Sequence, residues 1–197
     1  MAKVEQTYAL LGRSNLFDHA LKVGDKAPDF LLPNARGKTV ALSSLLKQGS
    51  VVLSFYRGAW CPFCNIELRA LQKALPALRK LGAQVVAVSP EKPDFSMPLI
   101  ERAALEFEVL SDLGNVLARQ FGISFPLEGE LKGISAETFG VDLPKFNGDS
   151  SWEIPIPATY VIDPTGAIRL AFVDPEFRNR LDPEEIFKVL GRPTLAA

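Results

Sequence analysis

Only two cysteines and one histidine occur among the 197 residues of the chain. A closed structural zinc site takes four Cys or His ligands, and Cys61, Cys64 and His19 cannot supply them within one chain. No metal is expected, and only a zinc site shared across a dimer stays open; His19 reads as an ordinary surface or packing residue. So few cysteines also argue against a disulfide-stapled secreted scaffold. No apolar stretch approaches the roughly 18 residues of a membrane span. Charge of either sign is not in excess: 22 Lys plus Arg stand against 23 Asp plus Glu, for a net −1. There is no basic footprint for nucleic acid and no acidic tail. Residues 1–20 lack the apolar core and small-residue cleavage site of a secretory signal. These absences lead to the expectation of a soluble, cytoplasmic protein with neither nucleic acid nor membrane as partner, long enough to bury about 70% of its unfolded surface in one domain.

Both cysteines fall in Trp60-Cys61-Pro62-Phe63-Cys64, after the apolar run Val51–Tyr56 and at the start of a helix-like stretch. A thiol in the first helical turn lies near unpartnered backbone N–H groups and the positive end of the helix dipole, which favour its thiolate. Such sites lower a thiol pKa from about 8.5 to roughly 3.5–7.5. A second thiol three residues on is one turn away, within reach for a disulfide. Half a zinc site and simple packing are the competing readings of C-x-x-C. The strand-to-helix placement favours redox chemistry over both.

The surrounding pattern alternates strands and helices. Residues 1–22 form an N-terminal extension with a helical preface over 1–21, and 23–197 form one domain. Short strands are expected at Asp29–Leu32 and Thr39–Leu42, and a buried strand at Val51–Tyr56. A crossover helix over Cys61–Leu81 and a second buried strand at Gln84–Ser89 complete a parallel βαβ unit. A helix around Phe95–Leu105, a strand at Val109–Asp112 and a helix at Asn115–Phe121 continue the alternation. Residues 122–156, rich in Pro, Gly, Asn and Asp, read as an insertion with a short helix near Leu131–Phe139, forming a wall of the site. Strands Ala158–Ile162 and Ala167–Val173 flank the turn Asp163–Gly166, and a helix at Pro183–Leu190 closes the chain. In the crossover helix, Cys64, Leu68, Leu71, Leu75 and Leu78 make one buried stripe, which turns Cys64 to the sheet and leaves Cys61 exposed at the tip. Pro76 is expected to kink or break this helix.

Three motifs then carry a resemblance: Gly24-Asp25-Lys26-Ala27-Pro28-Asp29-Phe30, Phe55 through Cys64, and Pro157-Ala158-Thr159-Tyr160-Val161-Ile162-Asp163. The chain resembles the thioredoxin-fold redoxins, specifically the alkyl hydroperoxide reductase/thiol-specific antioxidant family of peroxiredoxin-like proteins, over about Val23–Val173. The resemblance implies an α/β, thioredoxin-like fold with a central mixed β-sheet flanked by helices. A peroxiredoxin would carry its peroxidatic Cys at Cys64, with Thr or Ser, Pro and Arg where this chain has Cys61, Arg57 and Pro157. Cys61 and Pro157 instead resemble the nucleophilic Cys and the cis-Pro of thioredoxins. By that likeness, Ile156–Pro157 is expected to be cis, turning the Ile156 backbone free to pair with a substrate beside Cys61.

The leading expectation is therefore a thiol–disulfide oxidoreductase in which Cys61 attacks and Cys64 resolves, with no cofactor. Its supporting residues are Pro157 at the docking surface, Arg57 beside the Cys61 thiolate, Glu67 as proton acceptor for Cys64, and Trp60 as an adjacent fluorescent reporter. A surface ion pair for Arg57 and a solvated helix face for Glu67 are the plainer readings. The alternatives are a thiol-dependent peroxidase with Cys64 as the peroxidatic thiol, and a non-enzymatic redox sensor. Expected partners are a protein or small-molecule disulfide, or a peroxide, with a thiol electron donor; a homodimer is left open.

Overall fold

The computed structural model describes residues 17–133, 136 and 140–191. The helical preface expected over 1–21 lies outside the described residues as far as 16. From there Leu21 donates its N–H to the Phe121 carbonyl at 3.1 Å, tying the extension to the body of the protein.

A short antiparallel pair, β1 (Leu31–Pro33) and β2 (Thr39–Ala41), leads into helix α1 (Leu42–Leu46). The central sheet is built from β3 (Ser50–Phe55), β4 (Ala83–Ser89), β5 (Glu108–Ser111), β8 (Ala158–Ile162) and β9 (Ile168–Val173), in the order β5-β4-β3-β8-β9. β3, β4 and β5 run parallel, while β8 and β9 are antiparallel to their neighbours, so the sheet is mixed as expected. Helix α2 (Pro62–Lys80) crosses from β3 to β4, α3 (Pro93–Arg102) from β4 to β5, and α4 (Val116–Gln120) follows β5.

Strand alternation sorts the side chains into two cores. Val51, Leu53 and Phe55 of β3, Val86 and Val88 of β4, and Tyr160 of β8 face one layer with Leu42 and Phe121. Val52, Val85, Ala87 and Val161 face the other, against Leu68, Leu71, Leu75 and Leu78 of α2. These leucines are the predicted stripe, and replacing one by alanine costs about 3 kcal/mol. Pro76 does not break α2, which runs unbroken from Pro62 to Lys80 with the proline inside it. A single lost backbone bond is outweighed by leucines packed on both sides of it.

The expected insertion carries more structure than its composition suggests. β6 (Ser124–Pro126) and β7 (Glu153–Pro155) pair as an antiparallel ribbon that brackets α5 (Gly129–Gly133) and α6 (Leu143–Asn147). Most of the helix expected near Leu131–Phe139 lies outside the described residues. Phe125 and Ile154 of the ribbon are buried in the first core. Phe146 stacks edge-on against Phe95 at 4.9 Å, and its carbonyl accepts from the Lys92 N–H, which anchors the insertion on the loop after β4. Helix α7 (Pro183–Leu190) buries Ile186 against the α2 layer. None of the described helices is long and apolar enough to cross a membrane.

Candidate active site

The site lies at the carboxyl end of β3, where open α/β sheets place their ligands. After Phe55, the Tyr56 N–H donates to the Val88 carbonyl at 2.9 Å, and the chain leaves the sheet through Arg57-Gly58-Ala59-Trp60. Gly58 has φ +142°, and a Cβ there would stand 2.4 Å from Trp60 Nε1, so only glycine fits this turn. The turn is held from β4's side. Glu91, fully buried, accepts from the Ala59 N–H at 2.9 Å and the Ser96 hydroxyl at 3.2 Å. Burial pushes its carboxyl up to about 7 against those hydrogen bonds.

Cys61 is the N-cap of α2, followed by Pro62 in the first turn, where its missing N–H costs nothing. Its sulfur accepts from the Cys64 N–H at 3.4 Å, from the Cys64 thiol at 2.7 Å and from Arg57 Nη2 at 3.2 Å. The Cys64 thiol, then the Arg57 charge, outweigh burial and bring the Cys61 pKa down to about 5. Cys64 goes the other way: burial, and then the thiolate of Cys61, push it well above the ordinary thiol value. The two opposed shifts favour the thiolate on Cys61 and the proton on Cys64.

Neither sulfur is exposed, which corrects the expectation that Cys61 stands open at the helix tip: both cysteines are 0% accessible. Part of the cover is the segment Asp174–Asp182 between β9 and α7, whose Arg180 reaches Cys64 Sγ at 3.5 Å. Phe177 lies over the Arg57 guanidinium at 4.3 Å and meets Phe63 edge-on at 5.6 Å. Arg57, expected beside the thiolate, is there, but buried under an aromatic ring rather than on the surface.

Glu67 does not lie on a solvated face. It is buried on the α2 side of the sheet, where it accepts from the Thr159 hydroxyl at 3.2 Å and pairs with Arg180 Nε at 2.6 Å. Burial raises its carboxyl to about 7 despite the Arg180 charge. Arg180 also reaches Cys64 Sγ at 3.5 Å, and donates to the carbonyls of Phe177 and Asn179. Glu67, Thr159, Arg180 and Leu181 line a hollow of about 110 Å³. No sequence motif singles out Arg180, Phe177 or Glu91. Arg180 lies 116 residues from Cys64, and no local pattern marks it.

Pro157 departs from expectation. No peptide bond among the described residues is cis, so Ile156–Pro157 is trans. The Ile156 N–H already donates to the Ile123 carbonyl at 2.8 Å, extending the β6–β7 ribbon, and Ala158 pairs with Phe55 in the sheet. The chain enters β8 extended, and the Ile156 N–H is not free for a substrate strand. The main structural support for a thioredoxin-type docking surface is thereby removed.

Known proteins resemble this chain in sequence and in fold. The model of the AhpC/TSA family matches residues 23–171. A putative peroxiredoxin of Buchnera aphidicola is 32% identical over 103 residues, 52% of this chain and 65% of that protein. Peroxiredoxin Bcp of Escherichia coli is 35% identical over the same shares, so the chain spans 65% of the length of these relatives. A putative peroxiredoxin of Mycobacterium tuberculosis is 32% identical over 122 residues, 62% of this chain and 79% of that protein. Among solved structures, peroxidoxin BcpB from Mycobacterium tuberculosis superposes with a TM-score of 0.67 at 24% identity, covering 87% of this chain and 95% of that one. A peroxiredoxin-like protein from Aquifex aeolicus superposes with a TM-score of 0.67 at 20% identity, covering 87% of each chain. The fold is thus the thioredoxin-like fold of the peroxiredoxins, and with a dithiol at the head of α2 and a family match over most of its length the chain belongs to the AhpC/TSA family.

Proposed function

We propose that this protein is a thiol-dependent peroxidase in which Cys61 attacks the peroxide and Cys64 resolves. The observation that carries the reading is two free cysteine sulfurs 2.7 Å apart, both fully buried, a setting that suits a small oxidant better than a folded protein disulfide. The Cys61 thiolate attacks the distal oxygen of ROOH; an S–O bond forms, the O–O bond breaks, and the departing alkoxide takes a proton and leaves as ROH. Glu67, a buried carboxyl protonated up to about pH 7, is the acid of this cluster. Cys64 sulfur then attacks the Cys61 sulfenic acid, the S–S bond forms, and hydroxide leaves as water with the Cys64 proton. An external thiol donor returns the disulfide to the dithiol at the cost of its own oxidation. The attacking role falls to Cys61, not to Cys64 as the family register implies, because Cys61 caps the helix and accepts from Arg57, and its pKa is the one lowered.

The second reading, thiol–disulfide exchange from the same Cys61, is favoured by its place as helix cap in a C-x-x-C pair. Hydrogen peroxide and the insulin disulfide, each with dithiothreitol as donor, separate the two. Peroxide consumption abolished by Cys61→Ser supports the proposal; insulin reduction without peroxide consumption overturns it. Sulfenic acid trapped in Cys61→Ser but not in Cys64→Ser would move the attack to Cys64.

A further inference from the structure

The cover over the dithiol is tied down at both ends of its chemistry. Phe177 sits on Arg57, the residue that donates to Cys61, and Arg180 pairs with Glu67 and touches Cys64. Within the segment, the Asp174 carboxylate accepts from the Glu176 N–H at 2.8 Å and from Asn179 Nδ2 at 2.8 Å, and Arg180 donates to the Phe177 and Asn179 carbonyls. The cover is therefore a folded unit that binds the site through two side chains, and not a length of chain draped across it. A hollow of about 110 Å³ opens beside Glu67, Thr159 and Arg180 and is too small for a polypeptide strand.

We propose that Phe177 and Arg180 are specificity-determining residues: the strap Asp174–Asp182 that they pin admits small oxidants and excludes protein-sized reactants from Cys61. The inference deepens the peroxidase reading and rests on it for its biological sense, but its geometry stands apart from any peroxide turnover. With the strap closed, a large reagent reacts only through the fraction of molecules in which it has opened, so its rate follows the open population when opening is fast. A small reagent enters without full opening. Phe177 is the better residue to cut, since its loss removes the contacts on Arg57 and Phe63 while Cys61, Cys64 and Glu67 keep theirs.

The test measures Cys61 alkylation in the reduced full-length protein with two reagents of one chemistry, N-ethylmaleimide and a maleimide carried on a polyethylene glycol chain. The ratio of the two rates is first taken on free cysteine. In the wild type the large reagent is expected to fall behind by at least about tenfold beyond that ratio, and Phe177→Ala to recover most of the gap, whereas Phe177→Leu, which keeps an apolar cover, recovers little. A wild-type ratio equal to that of free cysteine overturns the proposal, and so does a Phe177→Ala change that raises both rates alike. The wild-type arm stands even if the alanine variant does not fold, which circular dichroism reports. A protein that keeps the size ratio but consumes no peroxide loses the proposed function and keeps the strap; one that consumes peroxide without the ratio does the reverse.

Discussion

Two arginine–glutamate pairs, on two hollows of the same protein, differ in little but burial. Arg79 and Glu106 meet at 3.1 Å beside the larger hollow, about 300 Å³, with side chains 51% and 65% exposed. Arg180 and Glu67 meet at 2.6 Å beside the smaller one, about 110 Å³, with side chains 15% and 6% exposed. Around the first pair water screens both charges. Around the second, the lost hydration shifts Glu67 toward neutrality and sets Arg180 against the sulfur of Cys64. The chemistry gathers where charge and burial coincide, not in the larger hollow.

The sharpest test of that contrast is removal of the thiolate itself. Cys61→Ser should abolish peroxide consumption, while substitutions at Arg79 or Arg36 in the larger hollow should leave it near wild type; a loss from the latter would relocate the site. Next in size is Arg180→Ala, which strands the buried Glu67 carboxylate and should cost about 3 kcal/mol in chemical denaturation at alkaline pH, above the pKa of that carboxyl. Recovery of most of that loss in the Arg180→Ala, Glu67→Gln double variant would identify the stranded carboxyl as its cause.

Glu67 also gives stability a pH dependence of known sign. Its folded pKa of about 7 lies above the ordinary carboxyl value of 4.5, so its contribution is present below 4.5 and is lost as pH rises through 7. That amounts to on the order of 3 kcal/mol, and Glu67→Gln should remove the slope. Cys61 acts oppositely. Its folded pKa of about 5 lies below the thiol value of 9, so its contribution is present above 9 and is lost as pH falls through 5. Thiolate absorbance should titrate near pH 5, and Cys64→Ala, which deletes the donor that lowers it most, should move the midpoint upward. An unmoved midpoint would assign the thiolate to Arg57 and the helix terminus. The smallest effect belongs to Arg79→Ala, where an exposed pair should be worth about 0.5 kcal/mol and fade with added salt.

The legible part of this protein is local. Continuous apolar runs at Val51–Tyr56 and Gln84–Ser89 marked the parallel core strands, and leucines three and four apart marked the face of α2. The C-x-x-C spacing at the head of that helix put two sulfurs within one turn, because 3.6 residues per turn leaves them little choice. Glu67, a turn beyond Cys64, entered the site by the same rule. Burial and pairing across distant segments carry no such period. The cover from Asp174–Asp182, the Arg180 contact across 116 residues, and the trans Ile156–Pro157 bond set by the ribbon's hydrogen bond to Ile123 all depend on which surfaces meet after folding. Position along α2 made Cys61 a helix cap within reach of the Cys64 thiol; only the folded chain, bringing Phe177 onto Arg57 and Arg180 onto Cys64 from beyond β9, built the buried surroundings of the pair.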